Sequence, residues 1–196
     1  MRITGIVLAA GRSERAGFPK ALAVLDGRTF VERIRDALLE GGVSDVIVVV
    51  GAPHGDRVAS VAGCACAENP DPERGMLSSV QAGIEAARRL APPPSALVLA
   101  LVDHPRIAPR TVQTLLETWR SGAAEVVRPR HRGRTGHPIV VGDGAIDALA
   151  EASLDVTPRD VLSMRRRLDV EVPDSTVLDD LDTAEAIRQA GGLPPS

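Results

Sequence analysis

The chain contains a single lysine and almost no aromatic residues. Lys20 is the one lysine among 23 lysine and arginine residues, and aromatics make up 2% of the 196 residues, with no tyrosine. Proteins that bind nucleic acids generally show a basic face and often stacking aromatic side chains, so the net charge of -3 argues against that class. The same scarcity predicts a core of Val, Leu, Ile and Ala.

Long apolar runs and a cysteine framework are missing as well. No run approaches membrane-spanning length, and no signal-peptide pattern precedes the first apolar segment, so we expect a cytoplasmic protein without a membrane partner. Cys64 and Cys66 alternate along a predicted strand, which is too constrained for an ordinary disulfide and offers too few ligands for zinc. We expect both to be buried, reduced thiols.

Short apolar runs alternate with helical patterns along most of the chain. Strands are predicted at 3–9, 45–51, 64–67, 96–101, 125–128 and 138–141, with extended pieces at 170–172 and 176–178. Helices are predicted at 29–40, 78–90, 109–120, 145–152, 158–168 and 183–190. This order predicts an α/β fold, a three-layer sandwich around a mainly parallel, Rossmann-like sheet. We expect one domain, 1–196, whose residues 191–196 form a frayed tail.

Three segments with chemically useful side chains follow predicted strands. They are residues 9–20, the triplet Asp103-His104-Pro105, and the acidic run at 179–182. Because ligands of such sheets gather at the carboxyl ends of the strands, we expect these segments to form one site.

The first of these segments has the composition of a loop that holds phosphates. Neither the dinucleotide fingerprint Gly-x-Gly-x-x-Gly nor the P-loop Gly-Lys-[Ser/Thr] is present, which disfavours a nicotinamide-dependent oxidoreductase. Small residues at 9–11 leave room for a base and a ribose, while Arg12, Arg15 and Lys20 offer positive charge to a polyphosphate. The planar guanidinium group of arginine cannot replace the compact ammonium group of Lys20. The alternative is a surface lysine that escaped a codon bias.

The full segment, Leu-Ala-Ala-Gly-x-Ser-x-Arg-x-Gly-x-Pro-Lys at 8–20, resembles the signature of the MobA-like NTP transferase family. This family includes the cytidylyl- and guanylyltransferases of the molybdenum cofactor. Further matches follow in the family's order at 74–83, 101–105, 132–138 and 180–185, so the resemblance spans nearly the whole chain. It implies the fold of the nucleotide-diphospho-sugar transferases.

The resemblance also implies a reaction and a set of site residues. A nucleoside monophosphate would pass from a nucleoside triphosphate to a phosphorylated acceptor such as molybdopterin, with Mg²⁺ bound and pyrophosphate released. The residues implied to bind the nucleotide are Leu8, Ala9, Ala10, Gly11, Arg12, Ser13, Arg74, Gly75, Ser78, Ser79 and Gly83. Those implied in catalysis are Arg15, Lys20 and Asp103; in metal binding Asp103, Asp180 and Asp182; and in acceptor binding Arg134, Gly136 and His137.

The motifs indicate the nucleotide more specifically than they indicate the acceptor. Leu-Ala-Ala-Gly with a Ser-Ser-x-x-x-Gly segment resembles the cytidylyl branch and favours CTP, whereas the guanylyl branch usually has Leu-Ala-Gly-Gly. The departures from the family pattern are His104, the segment 154–158 in place of Gly-Asp-x-Gly-Ala, and Ala184 and Ala186 in the closing motif. They bear on the acceptor, so a sugar phosphate or another small phosphorylated metabolite is the alternative, and a partner enzyme for product transfer stays unknown.

Structural roles compete with these assignments. The alternative for Asp103 is a cap for the helix predicted from 109, and the alternative for the acids at 179–182 is a favourable first turn of the last helix. His137 would be a loop histidine bonded to backbone, and the arginines at 130–134 a solvated run. A nucleotide-binding regulatory module without turnover is the non-enzymatic alternative.

Overall fold

Ten strands and seven α-helices alternate along the chain, and the computed structural model describes residues 1–195. The strands are β1 (Ile3–Leu8), β2 (Val24–Leu25), β3 (Arg28–Thr29), β4 (Asp45–Val50), β5 (Ala65–Glu68), β6 (Ala96–Leu101), β7 (Val126–His131), β8 (Arg134–Thr135), β9 (Ile139–Gly142) and β10 (Arg167–Glu171). The helices are α1 (Phe30–Glu40), α2 (Gly55–Ala62), α3 (Met76–Arg88), α4 (Pro109–Arg120), α5 (Asp143–Glu151), α6 (Pro158–Ser163) and α7 (Ala184–Gln189). Short 3₁₀ turns lie at Lys20–Leu22, Pro72–Arg74 and Ser175–Leu178.

The main sheet has the order β10-β7-β9-β6-β1-β4-β5, with β8 paired to β7. Strands β5, β4, β1 and β6 run parallel, whereas β9 pairs antiparallel with both of its neighbours. The chain moves outward from β1 to β4 and β5 and then returns to place β6 on the other side of β1. The strand order therefore reverses between β1 and β6, which is where open α/β sheets bind ligands.

Two aliphatic cores pack against opposite faces of the sheet. Side chains alternate along β1, so that Ile3 and Val7 face a layer containing α1, α2 and α4, while Ile6 and Leu8 face a layer containing α3, α5 and α6. Strands covered on both faces need continuous apolar sequence, which explains the β-branched run of β4. The predicted three-layer α/β sandwich is confirmed.

Local sequence signals set the starts of several helices. Thr29 caps α1, where its hydroxyl accepts from the Glu32 amide and the Glu32 carboxylate accepts from the Thr29 amide. The same reciprocal pair, Thr157 and Asp160, begins α6. Each arrangement satisfies amides that the first turn of a helix leaves unpaired.

Some predicted elements differ in the structure. Helix α2 was not predicted, and the helix expected at 158–168 ends at Ser163, because β10 begins at Arg167 and pairs with β7. The extended piece expected at 176–178 is a 3₁₀ turn. These segments are short, and tertiary contacts determine their conformation. The periodicity of a single sequence does not predict such contacts.

The thiols and the chain terminus also differ from expectation. Cys64 is half-buried and Cys66 is exposed, because β5 is the edge strand of the sheet. Burial raises the pKa of the Cys64 thiol to about 11. In the tail expected to fray, Leu193 exchanges two backbone hydrogen bonds with Val24; Ser196 lies outside the described residues. Within residues 1–195 no helix is long and apolar enough to cross a bilayer.

Candidate active site

The loop after β1 turns sharply and carries Lys20 back to the sheet. Ser13 and Gly17 adopt positive φ values of 57° and 77°, and the Ser13 carbonyl accepts hydrogen bonds from the amides of Ala16 and Gly17. The Ser13 hydroxyl accepts from the Lys20 amide at 3.0 Å. Ser13 thus closes the loop from both its backbone and its side chain, and the closed loop directs Lys20 toward the end of β6.

Lys20 lies between two carboxylates from distant parts of the chain. Its Nζ is 3.0 Å from Asp103 Oδ2, just beyond β6, and it also bonds Asp182 Oδ1, which lies 162 residues further along the chain. The Lys20 side chain is only 12% exposed. Burial lowers the pKa of Lys20, but Asp103 and Asp182 outweigh it and hold the pKa above its usual value. The ammonium therefore stays charged in the site.

Asp103, Asp180 and Asp182 form an acidic cluster at this point. Each offers a carboxylate oxygen, and the three oxygens lie within 4.8 Å of one another. Burial, followed by the charges of Asp103 and Asp182, raises the pKa of Asp180. Burial also acts to raise the pKa of Asp182, but the hydrogen bond from Lys20 reverses this and the pKa falls below its usual value. Asp103 Oδ1 is buried without a hydrogen-bond partner within residues 1–195.

The donor set fits a hard divalent cation. Mg²⁺ and Mn²⁺ prefer oxygen ligands and are usually held by one or two carboxylates together with substrate phosphates. Mutually close carboxylates and the unpaired Asp103 oxygen match that preference. Burial and then the neighbouring carboxylates raise the pKa of Asp180, and a cation would oppose both effects.

The acidic run at 179–182 is attached to the end of β6 by backbone. The Leu181 amide donates to the Asp103 carbonyl at 2.9 Å, and the Leu181 side chain is buried. This bond places Asp180 and Asp182 on either side of a fixed point next to Asp103. Asp179 points elsewhere and pairs with Arg106, while Thr183 rather than an aspartate caps α7.

A cleft of about 410 Å³ opens above these groups. Its walls contain Leu8, Ala10, Gly11, Arg12, Ser13, Arg15, Lys20, Gly75, Ser79, Asp103 and Asp182. Arg15 pairs with Asp182, and Arg12 pairs with Glu73, so both guanidinium groups already face carboxylates at the cleft. Most residues expected to hold a nucleotide are thus brought together here.

Other predicted nucleotide residues lie outside this cleft. Ala9 belongs to the core, and Ser78 and Arg74 line a separate surface groove of about 440 Å³. Gly83 faces the sheet, where an added Cβ would lie 2.7 Å from Ile6 Cγ2 and 3.0 Å from Val49 Cγ2. A glycine fits position 83 because α3 packs closely on β1 and β4.

Asn69 supports the cleft residue Ser79, and it was not among the residues expected to bind the nucleotide. It is buried, and its Nδ2 donates to the hydroxyls of Ser78 at 2.8 Å and Ser79 at 2.9 Å, while its Oδ1 accepts from the Asp71 amide. Asn69 therefore joins the loop after β5 to the first turn of α3. In the sequence, the pair Asn69-Pro70 precedes the segment at 74–83 that resembles the family, and this position was the signal for it.

A second cavity, of about 610 Å³, shares Leu8, Gly75, Met76 and Leu101 with the first. Of the residues expected to bind the acceptor, Gly136 and His137 line it. Arg134 lies exposed on β8 and lines neither cavity. The two cavities therefore adjoin at the ends of β1 and β6 and at the start of α3.

Two histidines lie near the acidic cluster, and one of them, His137, lines the second cavity. The rings of His104 and His137 are 5.5 Å apart, and His104 Nε2 lies 3.7 Å from Asp103 Oδ1. Burial, with the neighbouring His104 second, lowers the pKa of His137 to about 4. His137 is consequently a neutral imidazole at ordinary pH.

Comparison with known proteins decides what kind of enzyme carries this site. The model of the MobA-like NTP transferase domain matches residues 5–171. The chain belongs to this family. The family predicted from the motifs is confirmed, and the protein is a nucleotidyltransferase.

Relatives of this transferase carry more than one name. It is 34% identical to the nicotine blue oxidoreductase of Paenarthrobacter nicotinovorans, over 93% of both chains. It is 25% identical to the molybdenum cofactor cytidylyltransferase of Escherichia coli, over 92% of this chain and 91% of the relative. An oxidoreductase name within the family means that a missing dinucleotide fingerprint does not by itself exclude that activity.

Solved structures of Rv0371c from Mycobacterium tuberculosis are similar over the whole transferase. One has a TM-score of 0.82 at 27% identity and covers 97% of each chain. Another, a complex with manganese, has a TM-score of 0.74 at 25% identity and covers 97% of this chain and 98% of that one. This relative and the acidic cluster together indicate a divalent metal.

Proposed function

We propose that this transferase moves a nucleoside monophosphate from a nucleoside triphosphate, with CTP favoured, to a phosphorylated small-molecule acceptor. One observation carries the proposal. Lys20, Asp103 and Asp182 are in contact in the wall of the cleft expected to hold the nucleotide, and this cleft shares four wall residues with a second cavity that offers space for a second substrate.

The reaction needs no protein nucleophile. An oxygen of the acceptor phosphate attacks the α-phosphorus, a new P–O bond forms, and the bond to the leaving pyrophosphate breaks. Lys20 and Arg15 neutralise negative charge that accumulates on the α-phosphate and on pyrophosphate. The walls of the two cavities hold both reactants close to one another, which supplies the rest of the acceleration.

Asp103, Asp180 and Asp182 are the residues that would hold Mg²⁺, the ion we propose. Such an ion would stabilise the negative charge of the phosphates. The ammonium of Lys20 and a metal ion would share the same carboxylates, so Lys20 is expected to turn toward the phosphates when the nucleotide binds.

The choice of CTP and of the acceptor rests on likeness. The Leu-Ala-Ala-Gly segment and the relation to a molybdenum cofactor cytidylyltransferase support CTP, with GTP as the alternative. Molybdopterin is the first acceptor to assay for the same reason, and a sugar phosphate or another small phosphorylated metabolite is the alternative.

The deciding experiment is calorimetric titration with CTP, GTP, ATP and UTP, each with Mg²⁺, followed by an assay of pyrophosphate release. We expect selective binding of CTP and release of pyrophosphate only when an acceptor is present. Preference for GTP would move the protein to the guanylyl branch, and tight binding without turnover on any acceptor would favour a regulatory module. Absence of binding to all four would refute the proposal.

An oxidoreductase is the second candidate, because a relative of that name is similar over 93% of both chains. The same cleft, with Arg12 and Arg15, would then hold the phosphates of a reduced dinucleotide. Calorimetric titration with NADPH and NADH tests this alternative. Binding of either at micromolar concentration would support it, and absence of binding would remove it.

A further inference from the structure

The second cavity differs sharply in chemistry from the nucleotide cleft. Its walls are mainly aliphatic: Leu99, Leu101 and Ile139 come from the sheet, Leu154 and Val156 from the loop between α5 and α6, and Leu162 from α6. At about 610 Å³ it has the size of cavities that enclose a small organic ligand, roughly 300–1,000 Å³.

Exposed apolar side chains lie at the same cavity. Met76 is 51% exposed and Val156 is 40% exposed, and both belong to the cavity wall. Single exposed aliphatic side chains are common on protein surfaces, but several of them in one concave surface are not. Large aliphatic groups that contact water in a cavity therefore indicate a ligand that covers them.

The wall also carries positive charge. Arg74, Arg159 and Arg167 line the cavity, and none of them has a carboxylate within ion-pair distance among residues 1–195. Arg128 also lines it but is held by Asp169 of the neighbouring strand. Among residues 1–195, Asp155 is the one carboxylate in the cavity wall. The cavity therefore carries a net positive charge and favours an anion.

We propose that the second cavity binds an anion with a mainly apolar body, such as an aryl phosphate, and that this class of molecule is the acceptor. The inference rests on the proposed nucleotidyl transfer and selects one class among its acceptors. Leu154 and Val156 are the specificity-determining residues, and the arginines at the wall bind the anionic group.

The energetic argument concerns the aliphatic part of the wall, whose side chains offer a polar body no hydrogen-bond donor or acceptor. A buried hydroxyl or ring amide without a partner costs about 1–3 kcal/mol, so several such groups against leucine, isoleucine and valine would abolish affinity. A sugar phosphate carries several hydroxyls, and a pterin carries several ring donors and acceptors. An apolar body gains about 25 cal/mol for each Å² removed from water.

The test measures binding of 1-naphthyl phosphate and glucose 1-phosphate to the full chain by calorimetry, without nucleotide. We expect 1-naphthyl phosphate to bind at least about tenfold more tightly. The variants Leu154→Ser and Val156→Ser should each weaken 1-naphthyl phosphate about fivefold or more and leave CTP binding unchanged. Met164→Ser is the matched control, because Met164 is 87% exposed and lies outside the cavity wall.

Turnover separates this inference from the proposed function. Release of pyrophosphate from CTP with 1-naphthyl phosphate, above that with glucose 1-phosphate or molybdopterin, would support both. Efficient turnover with glucose 1-phosphate or molybdopterin but weak binding of 1-naphthyl phosphate would overturn the inference and keep the transferase. Equal effects of the three serine variants on 1-naphthyl phosphate would also overturn it, because the site would then lie elsewhere.

Discussion

Lys20 shows how one side chain serves two partners. Its ammonium lies within hydrogen-bond reach of Asp103 and Asp182, the same carboxylates that would bind a divalent cation. Two cations so close together repel one another strongly in a partly buried site. Phosphate oxygens would give the ammonium another partner, so binding of metal and nucleotide should be coupled.

We therefore expect Lys20→Met to bind Mn²⁺ alone at least about fivefold more tightly than the wild type and to bind CTP more weakly. Electron paramagnetic resonance of free Mn²⁺ measures the first effect and calorimetry the second. Arg110→Gln, which removes a charge from an exposed position on α4, is the control. Unchanged Mn²⁺ affinity in Lys20→Met would contradict competition.

Asp103 is expected to matter for metal binding more than for folding. Asp103→Asn keeps the shape of the side chain but removes the charge, so pyrophosphate release should fall by more than about tenfold, or 1.4 kcal/mol of barrier. Mn²⁺ affinity should fall in parallel, while the melting temperature changes little because Lys20 keeps its ion pair with Asp182. A loss smaller than tenfold would exclude Asp103 as the principal metal ligand.

His137 predicts a pH dependence of stability. Burial lowers the pKa of His137 to about 4 in the folded protein, from an ordinary value of 6.5. Between these values the unfolded chain binds a proton that the folded chain does not, so stability falls as the pH drops from 6.5 toward 4.

The measurement is the melting temperature across this range for the wild type and for His137→Gln. We expect the wild type to lose more stability than the variant, since both share every other titrating group. Parallel curves for the two proteins would show that His137 is protonated in the folded state as readily as in the unfolded one.

At the scale of elements, α3 packs against the sheet through a glycine. A Cβ at position 83 would meet buried side chains of β1 and β4, whereas a Cβ at Gly144 in α5 would meet only the end of the flexible Glu125 side chain, at 2.8 Å. Both glycines are helical, so both substitutions to alanine gain about 1 kcal/mol of helix propensity.

The two substitutions should therefore change the free energy of unfolding in opposite directions. Gly83→Ala is expected to destabilise the protein by about 1–2 kcal/mol, because overpacking outweighs the gain in propensity. Gly144→Ala should be neutral or stabilising. Urea denaturation gives both free energies of unfolding, and equal values would show that α3 shifts outward without cost.

At the scale of the whole molecule, the site joins the first loop, the middle of the chain and its C-terminal part. Ligands that bind there hold together segments that are far apart in sequence, and they stabilise only the folded chain. At a nucleotide concentration of 100 Kd the gain is about 2.7 kcal/mol.

We expect CTP with Mg²⁺ to raise the melting temperature by more than the sum of the two separate effects, because the ion and the phosphates share the acidic cluster. Differential scanning fluorimetry with each ligand alone and with both measures this. In Asp103→Asn the excess should disappear. Simple additivity in the wild type would place the metal and the nucleotide at separate sites.

The sequence by itself determined the layered fold, because apolar periodicity and turn residues act locally, and it indicated the family, because the segment at 8–20 carries the family's signature. Only the tertiary structure decided which acids meet Lys20. The backbone bond from Leu181 to Asp103 places Asp182 at Lys20 and Asp180 in the acidic cluster, and Asp179 pairs with Arg106 instead. The tertiary structure also decided that Gly83 packs against the sheet, that Cys66 is exposed on an edge strand and that Leu154 lines the second cavity. Contacts between residues so far apart depend on strand order, which no local pattern records.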